Sequence, residues 1–200
     1  MMIRLAIATI LATTGLAQSA FAQDAGDWIA RAGFHSIQPK SSNHPLVDVE
    51  QSTGLSFSAT YMATAHWGVE LLAALPFLHE IRLNGADAVG ETALLPPTLS
   101  AQYHFNPGGR VRPYAGAGLN YTIFSAERTW GALHGTKLEL DSSFGAAAQV
   151  GVDIDVLPGW FLNVDARWFD IDTDARLDGV DFGTIAIDPY AFGVSLSRRF

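Results

Sequence analysis

The sequence predicts an all-β fold: an eight-stranded antiparallel transmembrane β-barrel with short periplasmic turns and long extracellular loops. Three observations predict it. Apolar side chains alternate with small or polar ones, at a period of two, through eight segments of the chain. The connections between those segments are tight and long by turns. The last segment, Tyr190 to Phe200, keeps its alternation to the final residue, whereas chain ends are ordinarily frayed and polar.

The first twenty-two residues stand apart. Arg4 precedes an apolar run that ends in Ala20-Phe21-Ala22, the three-part pattern of a secretory signal peptide cut after Ala22. The barrel domain is then 23–200. The run is interrupted by Thr13, Thr14 and Gly15 and is short for a membrane anchor. Beyond it no apolar stretch is long enough to span as a helix. The chain carries a net charge of −8 and no cysteine. That charge disfavours nucleic acid as a partner, and an exported chain without disulfides must be held by a core or a closed hydrogen-bond ladder.

The eight segments follow in order. Trp28, Ala30, Ala32 and Phe34 share one face, opposite Arg31 and His35. Leu55, Phe57, Ala59 and Tyr61 oppose Ser56, Ser58 and Thr60; Trp67, Val69 and Leu71 oppose Gly68, Glu70 and Leu72. Leu99, Ala101, Tyr103 and Phe105 oppose Ser100, Gln102 and His104. Ala115, Ala117, Leu119 and Tyr121 oppose Gly116, Gly118 and Asn120, and Phe144, Ala146, Ala148, Val150 and Val152 oppose Gly145, Gln149 and Asp153. Leu162, Val164, Ala166 and Trp168 oppose Asn163, Asp165 and Arg167. The terminal segment sets Tyr190, Phe192, Val194 and Leu196 against Ala191, Gly193, Ser195 and Ser197.

Tight turns are expected at 64–66, 106–110 and 157–159, and long polar loops at 38–54, 80–95, 125–141 and 173–184. The continuous face has aromatic residues near its ends (Trp28, Trp67, Tyr103, Phe105, Tyr121, Trp168, Tyr190), as lipid-facing girdles do. A soluble ligand-binding barrel would turn that face inward. It would then leave Arg31, Glu70, Asp153, Asp165 and Arg167 on the other side of each strand, where such charges are unwelcome in a dry interior unless paired. The lipid-facing assignment also explains the chain end: the last strand must close on the first, because an open edge has no place in lipid. Phe192, Val194, Leu196 and Phe200 resemble the C-terminal signal by which outer-membrane barrels are recognised by their assembly machinery.

The segments "GVELLAALPF", "LPPTLSAQYHF", "RPYAGAGLNYT", "GAAAQVGVD" and "DIDT", with the final aromatic residue, resemble the outer membrane protein W (OmpW) family over about Ala25 to Phe200. The resemblance implies an eight-stranded barrel in the outer membrane of a Gram-negative bacterium. It also implies a narrow apolar lumen for small hydrophobic molecules, released sideways into the membrane and not through the barrel floor.

The residues are compatible with that expectation. Arg31, Glu70, Asp153 and Asp165 face inward low in the barrel and should form a charge cluster that blocks a through-pore. Higher up, Leu72, Ala74, Pro76, Phe169 and Ile187 are the expected ligand-binding positions. Arg167 departs from the apolar residue expected beside them and is either a filter at the pocket or a partner of the carboxylates. Pro76, Pro96, Pro97 and Pro189 lack the N–H that a ladder needs and mark where neighbouring strands could part. Alternative readings are a plugged structural or surface-receptor barrel and a lipid-modifying enzyme. No enzyme is expected, since Ser100 and His104 are some ~13 Å apart along a strand. No cofactor or metal is expected either. Asp170, Asp172, Asp174, Asp178 and Asp181 imitate a calcium-loop spacing, but Ala175 replaces its turn glycine. The expected partners are outer-membrane lipid, the assembly machinery and small hydrophobic solutes.

Overall fold

The computed structural model describes residues 23–40, 47–83 and 87–200. The signal peptide and its cleavage site lie outside the described residues. Among the described residues there are fourteen strands: β1 (Trp28–Gln38), β2 (Val47–Val49), β3 (Ser52–Met62), β4 (Trp67–Ala74), β5 (Phe77–Leu83), β6 (Ala88–Leu95), β7 (Thr98–His104), β8 (Val111–Thr129), β9 (Leu138–Leu140), β10 (Ser143–Leu157), β11 (Trp160–Phe169), β12 (Asp172–Leu177), β13 (Val180–Ala186) and β14 (Tyr190–Arg199). Eight of them, in the order β1-β3-β4-β7-β8-β10-β11-β14, form the membrane barrel.

The barrel closes where the sequence required. β14 pairs antiparallel with β1 from Ile29 opposite Arg199 to Gln38 opposite Tyr190. The terminal residue is part of the ladder: Trp28 N donates to Phe200 O at 3.1 Å and Phe200 N to Trp28 O at 2.9 Å. A chain one residue shorter would leave both Trp28 groups facing lipid or the interface without a partner, which is costly there.

Alternation sets the two faces. Phe34, Leu71, Leu99, Leu119, Val150 and Val194 are exposed outward, while Arg31, Glu70, Gln102, Gln149, Asp153 and Asp165 are buried inside. At the tight-turn end Trp28 meets Tyr61 at 5.2 Å and Trp67 meets Tyr103 at 5.1 Å, forming one girdle. At the other end Phe144 lies opposite Tyr121 and Trp168 opposite Tyr190 across the ladder. The turns are as short as expected. That between β10 and β11 turns over Pro158 and Gly159, the latter at φ +74°, a conformation open to glycine.

The long loops differ from expectation. Residues 77–95 and 172–186 are mostly strand, and β8 runs for 19 residues, well past the bilayer. β5 and β6 form a hairpin joined to β2 and the upper part of β8, and β9, β12 and β13 form a separate small sheet. The reason is a second inward apolar face. Phe77, Ile81, Val89, Leu94, Ala175 and Ile185 are all buried, so the extensions fold as a collar that continues the barrel wall above the membrane. The acidic run belongs to this collar. Asp178 and Gly179 make its hairpin turn, Asp174 accepts from Thr184 Oγ1 at 2.7 Å and Asp181 from Gly183 N at 2.8 Å. Its carboxylates serve a β-hairpin and are not arranged as a helix-flanked loop.

Ala117 lies mid-ladder on the lipid face of β8, opposite Ala101 and Ala148. Ala117→Arg should cost about 2–4 kcal/mol near the midplane. Reversible unfolding in lipid vesicles checks this, with the same substitution at Val111, near the turn end, expected to cost much less.

Candidate functional site

The barrel interior is layered. At the turn end, Ile29, Met62 and Phe161 pack as a small apolar plug. Gln23 is buried beside them, its amide against Met62 Sδ and Ala65 O, both at 3.3 Å. The chain segment before β1 thus covers the bottom of the lumen.

Above the plug lies a network of buried charges. Glu70 is its hub: it accepts from Arg167 Nη1 at 2.7 Å, Ser58 Oγ at 3.0 Å, Gln149 Nε2 at 3.2 Å and Arg31 Nη1 at 3.4 Å. Arg31 also donates to Asp153 at 3.0 Å and to Thr60 Oγ1 at 2.7 Å. Asn163 bridges Asp153 and the Tyr114 hydroxyl at 2.7 and 3.1 Å. Arg167 Nε donates to Asp165, whose carboxylate is 3.1–3.2 Å from His35 Nε2. Three carboxylates face two arginines here, and His35 supplies the remaining donor. A second pair, Arg112 with Asp155 in bidentate contact at 2.6 and 3.0 Å, lies nearer the turns. Arg31, Glu70, Asp153, Asp165 and Arg167 each have more than one partner, which is the condition for tolerating charge in a low-dielectric interior.

Small residues make room for this network. A Cβ at Gly193 would overlap the His35 ring and the Asp165 carboxylate, and one at Gly151 would overlap the Tyr114 ring. The void left between Arg31, His35, Ser58, Asp165 and Arg167 is about 10 Å³, room for about one water. Ser56 Oγ, His35 Nδ1 (2.5 Å apart) and Asp165 stand in the order of a hydrolase triad, but that void admits no acyl substrate.

Over the charges sits an apolar cluster that includes Ile37, Leu72, Phe77, Leu94, Phe169, Ile171 and Ile187. Above it, enclosed by the collar, is a cavity of about 80 Å³ whose exposed lining is wholly apolar; Ile81, Val89, Phe124, Leu133, Leu138 and Phe182 are among its walls.

The sequence-based positions distribute over these layers. Arg31, Glu70, Asp153 and Asp165 meet in one network. Arg167 joins it, because its long side chain reaches back to Asp165 and across the lumen to Glu70. Leu72, Ala74 and Phe169 belong to the apolar cluster beneath the cavity, and Ile187 is shared by cluster and cavity wall. Pro76 is a correction. The alternation breaks at Leu75 and Pro76, both exposed, and Phe77 takes the inward place. Most cavity residues lie in stretches that looked like polar loops. The inward pairs Phe77/Ile81 and Thr92/Leu94 were the available signal, diluted by the charged outer face of the same hairpin.

The proline positions separate into two kinds. β4 pairs with β7 as far as Leu72 opposite Thr98, and β5 with β6 from Phe77 opposite Leu94. Between these points, Ala73–Pro76 and Leu95–Pro97 have no pairing with each other. Each keeps its other neighbour: Ala73 and Ala74 pair with β3, Leu95 with Ile123, and Pro97 O accepts from Tyr121 N at 3.0 Å. The wall between β4/β5 and β6/β7 is therefore interrupted at a seam. Pro189 makes no such gap, contrary to expectation. Its carbonyl accepts from Phe169 N at 3.2 Å, and Ile187 N donates to Ile171 O at 2.8 Å, so the ladder is carried past it.

Comparison with known proteins follows the same outline. The OmpW family profile matches residues 24–200. The chain belongs to the OmpW family. Outer membrane protein W of Escherichia coli (strain K12) is 38% identical over 210 residues, covering 98% of this chain and 99% of the relative. The crystal structure of the outer membrane protein OprG from Pseudomonas aeruginosa superposes with a TM-score of 0.80 at 30% identity, covering 90% of this chain and 98% of that one. The dibenzothiophene metabolism operon protein PahQ of Pseudomonas aeruginosa is 28% identical over 161 residues, covering 76% of this chain and 74% of its own. The protein is an outer-membrane barrel of a Gram-negative bacterium.

Removing Arg167 tests the network. Arg167→Leu strands two buried carboxylates, Glu70 and Asp165, and should destabilise the barrel by about 3–5 kcal/mol. Equilibrium urea unfolding in vesicles measures this; Arg167→Lys, which keeps the charge and loses the fork, should fall in between.

Proposed function

We propose that this barrel admits small hydrophobic molecules from outside the cell into the collar cavity and releases them sideways into the outer membrane. The observation that carries the reading is the conjunction of three features: an apolar cavity at the extracellular end, a charged floor beneath it, and an interrupted seam in the wall between them. Phe77 and Leu94, the first cross-strand pair above the seam, belong to the same apolar cluster as the cavity residues Phe124 and Ile187. The side chains between cavity and seam are therefore mainly apolar, with Thr92 in the cavity wall and Thr98 at the seam edge as polar exceptions. The name of PahQ, from an operon for dibenzothiophene metabolism, agrees with an apolar cargo. Burial of apolar area contributes ~25 cal/mol per Å², so a small solute gains a few kcal/mol, which suits transient occupancy.

The test places a charge in the cavity and a hydrogen-bond donor at the seam. Leu138→Glu should reduce uptake of a fluorescent polycyclic hydrocarbon by whole cells roughly tenfold or more, because desolvating a carboxylate there is unfavourable. Pro76→Ala with Pro96→Ala should lower uptake by narrowing the seam. Heat-modifiable gel migration should stay normal in both. Normal uptake in both variants would leave a plugged structural or surface-receptor barrel as the better account.

The terminal strand carries a separate role in this reading: recognition by the barrel-assembly machinery through Phe192, Val194, Leu196 and Phe200. Deleting Phe200 should lower outer-membrane yield severalfold in cells while protein refolded in detergent still forms the barrel. Equal losses in both settings would assign Phe200 to ladder closure alone.

A further inference from the structure

The outer face of the terminal strand carries one charged side chain. β14 turns Phe192, Val194 and Leu196 outward, and Arg198 falls in the same row, exposed. It lies opposite Ala30 on β1 and Trp160 on β11. The other outward ladder positions at the turn end are apolar or aromatic, with Trp28, Tyr61, Trp67, Tyr103 and Val111 among them. The guanidinium carbon lies 5.0 Å from the centre of the Trp160 ring and 5.0 Å from that of Phe200. These rings attract the charge but offer no oxygen to its N–H donors. The side chain has no hydrogen bond or ion pair among the described residues. Its neighbours are already committed: Arg199 is 3.6 Å from Asp27, and the Phe200 main-chain oxygen accepts from Trp28 N at 3.1 Å.

A cation on the lipid face is tolerable at the level of the headgroups and costly nearer the midplane, and the aromatic girdle marks the headgroup level. Arg198 therefore stands where lipid phosphates lie. Toward the midplane the same two strands offer an apolar surface. Leu162 lies opposite Leu196, Val164 opposite Val194 and Ala166 opposite Phe192. Val164, Ala166, Phe192 and Val194, with Val150 of β10, line a shallow groove on the outside of the barrel. Phe192 is six residues from Arg198, about 20 Å along the strand. At a tilt of about 40° that is a depth of about 15 Å, half the thickness of a ~30 Å hydrocarbon core. Cation and groove together span one leaflet.

We infer that Arg198 and this groove form a seat for one anionic phospholipid of the periplasmic leaflet, the guanidinium donating to its phosphate oxygens and an acyl chain lying over Val164, Ala166 and Val194. A phosphodiester presents the paired oxygens that fit a guanidinium fork. In a zwitterionic lipid the ammonium already offsets the phosphate charge, and the carboxylate beside the site, Asp27, is held by Arg199. The seat lies at the opposite end of the barrel from the collar cavity and is independent of the uptake reading.

The experiment uses the full barrel in nanodiscs of phosphatidylglycerol and phosphatidylcholine in equal amounts. Native mass spectrometry of the released barrel counts the lipids it keeps. Wild type should retain phosphatidylglycerol roughly fivefold over phosphatidylcholine, the fold-change of one interfacial cation. Arg198→Gln should bring the two to parity, and Arg198→Lys, which keeps the charge and loses the fork, should retain part of the preference. Ala166→Trp, which fills the groove, should lower retention of both lipids. In wild type labelled with nitrogen-15 at arginine, solid-state dephasing by lipid phosphorus should pick out the Arg198 guanidinium, assigned through the backbone of β14. That measurement stands even where a variant fails to fold. Equal retention of the two lipids by wild type, a preference that survives in Arg198→Gln, or an Arg198 guanidinium untouched by phosphorus would each overturn the headgroup seat. Retention unmoved by Ala166→Trp would overturn the acyl seat. A drop in outer-membrane yield for Arg198→Gln without any lipid preference in wild type would assign the residue to the assembly machinery instead.

Discussion

Every backbone N–H and C=O that meets the hydrocarbon core of a membrane must find its partner within the protein, because no water is there to take its place. Much of this barrel follows from that constraint. It requires β14 to return to β1, and it draws Phe200 into the ladder opposite Trp28. At the upper strand ends proline falls where the loss of a donor is either compensated, as at Pro189, or admitted at a seam, as at Pro76, Pro96 and Pro97. Closure also fixes the lumen. Eight strands enclose a space narrow enough for inward side chains to reach one another across it, which is why Arg31 on β1, Glu70 on β4, Asp153 on β10 and Arg167 on β11 form one network.

The network and the collar divide the interior by polarity. Buried ions are tolerable only with several partners each, and here the hydrogen-bonding capacity of Glu70, Asp153 and Asp165 is taken up by the protein itself. That leaves little room in the lower lumen and seals the route to the turn end. The collar follows the opposite rule. Its inward residues are apolar, its hairpins are shaped by their outer polar face, and it encloses space that the lower barrel does not have. The seam lies at the boundary, where the membrane ladder ends and the collar sheets begin. In the proposed uptake, an apolar solute entering from above would meet a charged floor below and an interrupted wall to the side.

Period-two alternation, tight turns and a terminal aromatic residue were legible at the level of single residues, because each reports a local requirement: which face meets lipid, where the chain reverses, how the edge is closed. The inward assignments of Arg31, Glu70, Asp153 and Asp165 came from the same alternation. It failed at Pro76, where a proline breaks the pleat and the next residue, Phe77, takes the inward place. It also failed for the long connections, since charged outer positions on β5, β6, β12 and β13 look like loop composition when read without their pairing partners.

What the sequence determined by itself was the barrel, its lipid-facing surface, its family and the low layer of charge, since these rest on periodicity and on residue type. Tertiary structure alone decided who pairs with whom. Arg167 is a neighbour of Asp165 along the chain, but its contact with Glu70 spans 97 residues and exists only because the sheet closes. The cavity is likewise made by four stretches of chain, at Val49 and over 81–92, 124–140 and 173–187, that meet above the membrane. The seam depends on where two ladders lose register with each other, a relation between strands that no single strand records.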